Sequence, residues 1–164
     1  MTSQSNLQLP NGYKLLNYRI DKQLSRGGFS LVYRALDERL NIVVIKEYLP
    51  SVLALRRDGY AVRATSAENL ATFHYGMRCF FEEGRALARI IHPNVVRVLN
   101  FFRANDTVYM VMRYERGRTL QEQIQQHKPT LTESFIRHVF GYLLNGLREV
   151  HTHKLLHLDI KPSN

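Results

Sequence analysis

From Tyr18 onward the apolar positions first favour extended backbone. Tyr18, Ile20 and Leu24, then Leu31, Val32 and Tyr33, then the run Ile42-Val43-Val44-Ile45 predict three strands. Gly27-Gly28 and Asp37-Glu38-Arg39-Leu40-Asn41 supply the connections, which makes the strands antiparallel neighbours. Pro50 to Arg63 interrupts the pattern, and Arg56-Arg57-Asp58-Gly59 within it reads as a surface loop. The period then lengthens. Leu70, Phe73, Met77, Phe80, Gly84, Leu87 and Ile91 recur at helical spacing, behind a capping box of Thr65 and Glu68. They predict one long helix, or two with a break near Gly76, stopped by His92-Pro93-Asn94. Two more strands follow, Val95 to Phe102 and Thr107 to Tyr114, joined across Ala104-Asn105-Asp106.

Gly117 marks a change to helix. Thr119 to Gln126 predicts a short one. Thr130 and Glu133 form a second capping box for a longer one, whose apolar face carries Phe135, Ile136, Val139, Phe140, Leu143, Leu144, Leu147 and Val150. The class is therefore α+β: five antiparallel strands with one helix over residues 18–116, an insert near 50–66, and a helical region over 117–164. Residues 1–17 are polar and read as a flexible arm.

Composition narrows the picture. With 164 residues and 45% hydrophobic content, the chain can build a core in one or two small units. Its formal charge of +9 favours polyanionic partners such as nucleotide phosphates. No block of five or six like charges and no nucleic-acid motif occurs, so nucleic acid is not an expected partner. The one cysteine, Cys79, precludes a disulfide within the chain and fits a reducing, cytoplasmic compartment. It lies in an apolar helical run and reads as packing. No signal peptide or membrane-spanning stretch is visible. His151, His153 and His157 lack a neighbouring Cys or carboxylate cluster and do not read as a metal site.

Four segments carry candidate chemistry. Leu24-Ser25-Arg26-Gly27-Gly28-Phe29-Ser30-Leu31-Val32 connects two predicted strands, and glycines at such a turn let backbone amides approach phosphate oxygens. An ordinary hairpin explains the same glycines. Val43-Val44-Ile45-Lys46 puts an ammonium on the third strand. Alone, it reads equally as an edge-strand lysine that discourages aggregation. Val111-Met112-Arg113-Tyr114-Glu115-Arg116-Gly117 leaves the last strand. His157-Leu158-Asp159-Ile160-Lys161-Pro162-Ser163-Asn164 follows the last helix.

In that order the four resemble the motifs of protein kinases: G-x-G-x-x-G-x-V, V-A-I-K, V-M-E-Y-x-x-G and H-R-D-L-x-x-x-N. The resemblance runs from Tyr18 to Asn164, and Lys161, two residues past Asp159, gives it the Ser/Thr form. The segment that begins at Glu47-Tyr48-Leu49-Pro50 is similar to a subgroup of eukaryotic-like bacterial Ser/Thr kinases. The resemblance implies a kinase fold, with a five-stranded N-lobe over 18–116 and the start of a helical C-lobe over 117–164. It implies phosphoryl transfer from ATP, with Mg²⁺, to a Ser or Thr hydroxyl of a protein. Leu24, Ser25, Gly27, Gly28, Ser30, Val32 and Val44 would cover the nucleotide. Lys46 would reach its phosphates, held by Glu83. Met112, Arg113, Tyr114 and Glu115 would border the base. Asp159 would take the hydroxyl proton, Lys161 would offset phosphate charge, and Asn164 would ligate Mg²⁺.

Three positions depart from the pattern. Ser25 replaces a glycine, Val44 the usual alanine over the adenine, and Leu158 the arginine that pairs with a phosphorylated activation loop. D-F-G, an activation segment and A-P-E do not occur in these residues, which implies little transfer by this stretch alone and exposed apolar surface on the last helix, hence self-association. The alternative reading is a non-catalytic, pseudokinase-like module that binds a nucleotide or a partner.

Overall fold

The computed structural model describes residues 7–56, 59–126 and 131–164. In chain order the elements are β1 (Lys14–Leu15), β2 (Tyr18–Arg26), β3 (Ser30–Leu36), β4 (Ile42–Tyr48), β5 (Ala54–Leu55), β6 (Arg63–Ala64), α1 (Ala67–Leu87), β7 (Val98–Ala104), β8 (Thr107–Arg113), α2 (Leu120–Gln126) and α3 (Glu133–Thr152). They divide into two compact units: residues 1–88 with 98–114, and residues 89–97 with 115–164. None of the described helices is long and apolar enough to cross a membrane.

The first unit is built on an antiparallel sheet of order β1-β2-β3-β4-β8-β7, while β5 and β6 form a separate two-stranded pair. The five predicted strands are the long ones, and the two-residue β1 adds an edge. β4 lies inside the sheet, which removes the edge-strand explanation of Lys46. Alternation decides what each face carries. On β3, Leu31, Tyr33 and Ala35 are buried while Val32, Arg34 and Leu36 are half-buried. On β4, Val43, Ile45 and Glu47 are buried while Ile42, Val44 and Lys46 are half-buried.

The face bearing Tyr33 and Glu47 is covered by two segments whose burial the sequence pattern does not suggest. Residues 7–17 are no loose arm. Leu9 and Leu15 belong to the core, and the Leu9 amide donates to the Tyr33 hydroxyl at 3.2 Å. Arg56, read as part of a surface loop, is 1% exposed. Its guanidinium meets Glu47, itself fully buried, because a carboxylate in line with Val43 and Ile45 must find donors there. Residues 57 and 58 of that predicted loop lie outside the described residues.

The opposite face receives α1 along one stripe, with Phe73, Phe80 and Gly84 buried. The Tyr48 ring lies 5.7 Å from those of Phe73 and Phe80. The helix runs unbroken past Gly76, where a Cβ would sit 1.9 Å from the Tyr48 hydroxyl. Its N-cap is Ser66, accepting from the Asn69 amide, rather than Thr65. The Thr65 hydroxyl instead lies 3.3 Å from the carbonyls of Val52 and Leu53. The helix ends at Leu87, short of His92. β7 and β8 join through Asn105 and Asp106, both with positive φ (51° and 55°), the type I′ geometry that short Asn and Asp side chains tolerate.

In the second unit, Thr119 and Glu122 cap the start of α2 reciprocally. The Thr119 amide donates to the Glu122 carboxylate at 2.6 Å, and the Glu122 amide donates to the Thr119 hydroxyl at 3.1 Å. α3 is capped by Thr132, whose hydroxyl accepts from the Phe135 amide. Thr130, the cap expected from sequence, lies outside the described residues. Only Gly146 and Val150 of α3 are buried, and a Cβ at Gly146 would meet the Asn94 carbonyl at 2.7 Å. Ile136, Phe140, Tyr142 and Leu144 are exposed, as expected of the last helix.

Candidate active site

Leu24, Ser25, Gly27, Gly28, Ser30, Val32, Val44, Lys46, Glu83, Met112, Arg113 and Tyr114 belong to the first unit. Glu115, Asp159, Lys161 and Asn164 belong to the second.

In the first unit, strand register gathers the candidates on one sheet face. Ser25 pairs with Val32, Val32 with Lys46, and Val44 with Met112. Directly paired residues point to the same side, so these five share the half-buried face. Ser25 is an ordinary strand residue and needs no left-handed backbone. The turn Gly27-Gly28-Phe29 is closed by the Gly27 amide on the Ser30 carbonyl at 2.9 Å. It is tied to the chain after β4, for the amides of Leu49 and Ser51 donate to the Phe29 and Gly28 carbonyls at 3.0 Å. A Cβ at Gly28 would meet nothing within 4 Å, so the turn has room above it. Leu24 and Arg113 are exposed, Met112 and Tyr114 half-buried.

Lys46 and Glu83 are not brought together. The Lys46 ammonium lies 5.6 Å from the centre of the Phe80 ring, and Glu83 is exposed. The cause is helical phase. Gly84 faces the sheet, 3.2 Å from the Met110 methyl by its notional Cβ, and Glu83 lies roughly 100° around the helix from it.

In the second unit the last eight residues converge on one carboxylate. The Lys161 ammonium is 2.9 Å from Asp159 Oδ2. The Asn164 side-chain amide donates to that oxygen at 2.7 Å and to the Asp159 carbonyl at 2.8 Å. The Asp159 amide donates to His157 Nδ1 at 3.3 Å. The loop is stitched to α2 by the Gln121 amide on the Pro162 carbonyl at 2.8 Å. Leu158 has φ +59° and is 87% exposed, so its side chain supports nothing within the unit.

Hydrogen bonds from Lys161, then Asn164, hold the Asp159 carboxyl below the usual carboxylate range. It stays ionised as pH falls through the ordinary aspartate range. Replacing Lys161 with methionine and Asn164 with alanine removes both donors, so the Asp159 pKa is expected to rise. A carboxyl-carbon NMR titration measures it, and an unmoved titration would show that those contacts do not persist in solution.

The carbonyl oxygen of Asn164, whose NH₂ is spent on Asp159, is an oxygen donor of the sort a hard divalent cation takes. The half-buried face beside Lys46, with apolar Val32, Val44 and Met112, suits a flat base and an anionic tail. Each unit by itself thus carries donor types that fit one part of a magnesium nucleotide.

Sequence reasoning missed Glu47, Arg56, Tyr33 and Tyr109, which form one buried polar cluster behind Lys46. The signal was present. Period two puts Glu47 on the buried face, and a buried carboxylate requires a cation.

Residues 18–164 match the protein kinase domain family. The probable serine/threonine-protein kinase PknB of Lactococcus lactis subsp. lactis is 28% identical over 147 residues, which cover 90% of this chain and 21% of that protein. Serine/threonine-protein kinase B of Synechocystis sp. is 29% identical over 145 residues, covering 86% and 22%. The chain thus spans about a fifth of the length of these curated relatives. Among solved structures, the PpkA-294 apo form superposes with a TM-score of 0.89 at 35% identity, over 98% of this chain and 57% of that one. The PknI kinase domain of Mycobacterium tuberculosis shares the fold, with a TM-score of 0.70 at 19% identity over 96% and 57%. By its motifs, its sheet and these matches, the chain belongs to the protein kinase domain family.

Proposed function

We propose that these residues supply the nucleotide face and catalytic loop of a Ser/Thr protein kinase, which moves the γ-phosphoryl group of Mg-ATP to a hydroxyl of a protein, and that taken by themselves they transfer little. The observation that carries this reading is the ionised Asp159 held by Lys161 and Asn164. Asp159 accepts the proton of the incoming hydroxyl and aims its oxygen at phosphorus. Lys161 offsets charge on the transferred group, and Lys46 orients the phosphates from the sheet. Leu24, Ser25, Gly27, Gly28, Ser30, Val32 and Val44 cover the nucleotide; Met112, Arg113, Tyr114 and Glu115 border its base. Asn164 would hold Mg²⁺, which would neutralise charge on the phosphate oxygens. Glu83 reaches Lys46 only after a turn or shift of α1. A reducing, ATP-rich cytoplasm suits the lone Cys79. Self-association through the apolar flank of α3 belongs to the same reading.

The unpaired state of Lys46 and Glu83 favours the second reading, a pseudokinase-like module. Nucleotide binding and transfer separate the two. Mg-ATP at a hundred times its Kd is expected to stabilise the chain by about 2.7 kcal/mol in thermal unfolding. Lys46→Met is expected to abolish most of that gain. Equal gains in both proteins would remove Lys46 from the nucleotide site. Binding without any transfer to a Ser- or Thr-containing protein acceptor, by a protein that joins these residues to a D-F-G and an activation segment, would favour the module.

A further inference from the structure

Glu47 follows Lys46 on β4 and points to the opposite face. Its carboxylate is fully buried and receives donors on both oxygens. Tyr109 donates to Oε1 at 2.6 Å, Tyr33 to Oε2 at 2.8 Å, and Arg56 reaches both oxygens, its contact to Oε2 being 3.2 Å. Arg56 is held in turn. Its Nε donates to the Tyr60 carbonyl at 2.8 Å and its Nη1 to the Leu7 carbonyl at 3.0 Å, while Leu9 donates to the Tyr33 hydroxyl. Tyr13 and Asn105 close the rim, Asn105 donating to the Tyr109 hydroxyl at 3.0 Å. Leu7 and Leu9 from the N-terminal segment and Arg56 and Tyr60 from the segment after β4 thus converge, through Arg56 and Tyr33, on one residue of β4.

A buried ion pair is a poor way to gain stability, since apolar residues of the same volume serve as well or better. Its distinctive property is that it tolerates one geometry. Sliding β4 against β3 or β8 would strand a charge in the core, so the cluster fixes register where apolar packing would permit small shifts. Lys46 lies directly on one side of Glu47. Leu49 and Ser51, which hold the glycine turn through Phe29 and Gly28, lie on the other.

We propose that Glu47 is a positioning residue for Lys46 and the glycine turn, and that the N-terminal segment 7–13 together with Arg56 and Tyr60 acts as its brace. This rests on the reading of Lys46 as a phosphate ligand. The brace sets nucleotide affinity from the rear of the sheet, without touching the nucleotide.

The test replaces the whole cluster by apolar groups, Glu47→Leu with Arg56→Leu, Tyr33→Phe and Tyr109→Phe, so that no charge is orphaned. Thermal unfolding, the Kd for Mg-ATP, and the Cε–Hε NMR resonances of Lys46 without nucleotide are then measured. The variant is expected to unfold cooperatively near the wild-type temperature, to bind Mg-ATP about tenfold more weakly, and to show Lys46 resonances moved toward those of solvent-exposed lysines. Arg56→Lys keeps the charge but loses the fork, and is expected to fall between the two; it decides the matter if the quadruple variant does not fold. Wild-type affinity in a folded variant overturns the proposal, as do wild-type Lys46 resonances. If the wild type itself binds no Mg-ATP through Lys46, the kinase reading falls, and the resonances alone decide the role of Glu47.

Discussion

Arg56→Ala is expected to lower the unfolding free energy by about 3–5 kcal/mol. The alanine leaves the Glu47 carboxylate fully buried with two tyrosine hydroxyls and no cation. It also strips the donors from the Leu7 and Tyr60 carbonyls. Burial by itself pulls the Arg56 pKa down, yet the hydrogen bonds and charge of Glu47 outweigh it and leave the group more basic than a free arginine. The guanidinium is therefore charged at every accessible pH, and its loss removes a whole charge. Arg137 and Glu133 offer the contrast. They are paired at 2.7 Å with side chains 78% and 77% exposed. Water replaces either partner there, so Arg137→Ala should change stability by little that can be measured. Urea unfolding of the three proteins makes the comparison. A loss below about 1 kcal/mol for Arg56→Ala would mean that water reaches Glu47 and that the cluster is not sealed.

In a protein that joins these residues to a D-F-G and an activation segment, Asp159→Asn is expected to slow phosphoryl transfer by about 10²–10⁴-fold while leaving folding and nucleotide affinity near wild type. Asparagine keeps the shape and can still accept a hydrogen bond, but it cannot take a proton. The side chain is exposed and its partners are local, so the fold does not depend on its charge. Single-turnover transfer from γ-labelled ATP, with a separate binding titration, resolves the two effects. A variant that transfers at the wild-type rate would remove Asp159 as the base. One that fails to bind nucleotide would assign it to binding instead.

The five long strands were legible because each carries its own apolar run. The helix of residues 67–87 was legible from Phe73, Met77, Phe80 and Gly84. The caps were legible only as a neighbourhood. Thr65 and Ser66 both suit an N-cap, and the choice went to Ser66 because Thr65 lies against the carbonyls of Val52 and Leu53. That contact comes from a segment far back in the chain, which no local rule sees. The same holds for Leu9 and Arg56. A polar stretch and an Arg-Arg-Asp-Gly turn look solvated until a buried glutamate elsewhere calls for partners. The meeting of Asp159, Lys161 and Asn164 was legible, since they are close enough in sequence for spacing to determine contact. The pairing of Lys46 with Glu83 was not, because motif spacing says which residues can meet and says nothing of how far α1 is turned.

The burial of Arg56 also makes that position a gauge of local opening. A trypsin-like protease must draw an arginine side chain into its own specificity pocket before it cuts the following peptide bond. Here the side chain is already engaged by Glu47, Leu7 and Tyr60, so the bond after residue 56 is cleaved only in molecules that have let it go, and the cleavage rate counts how often they do.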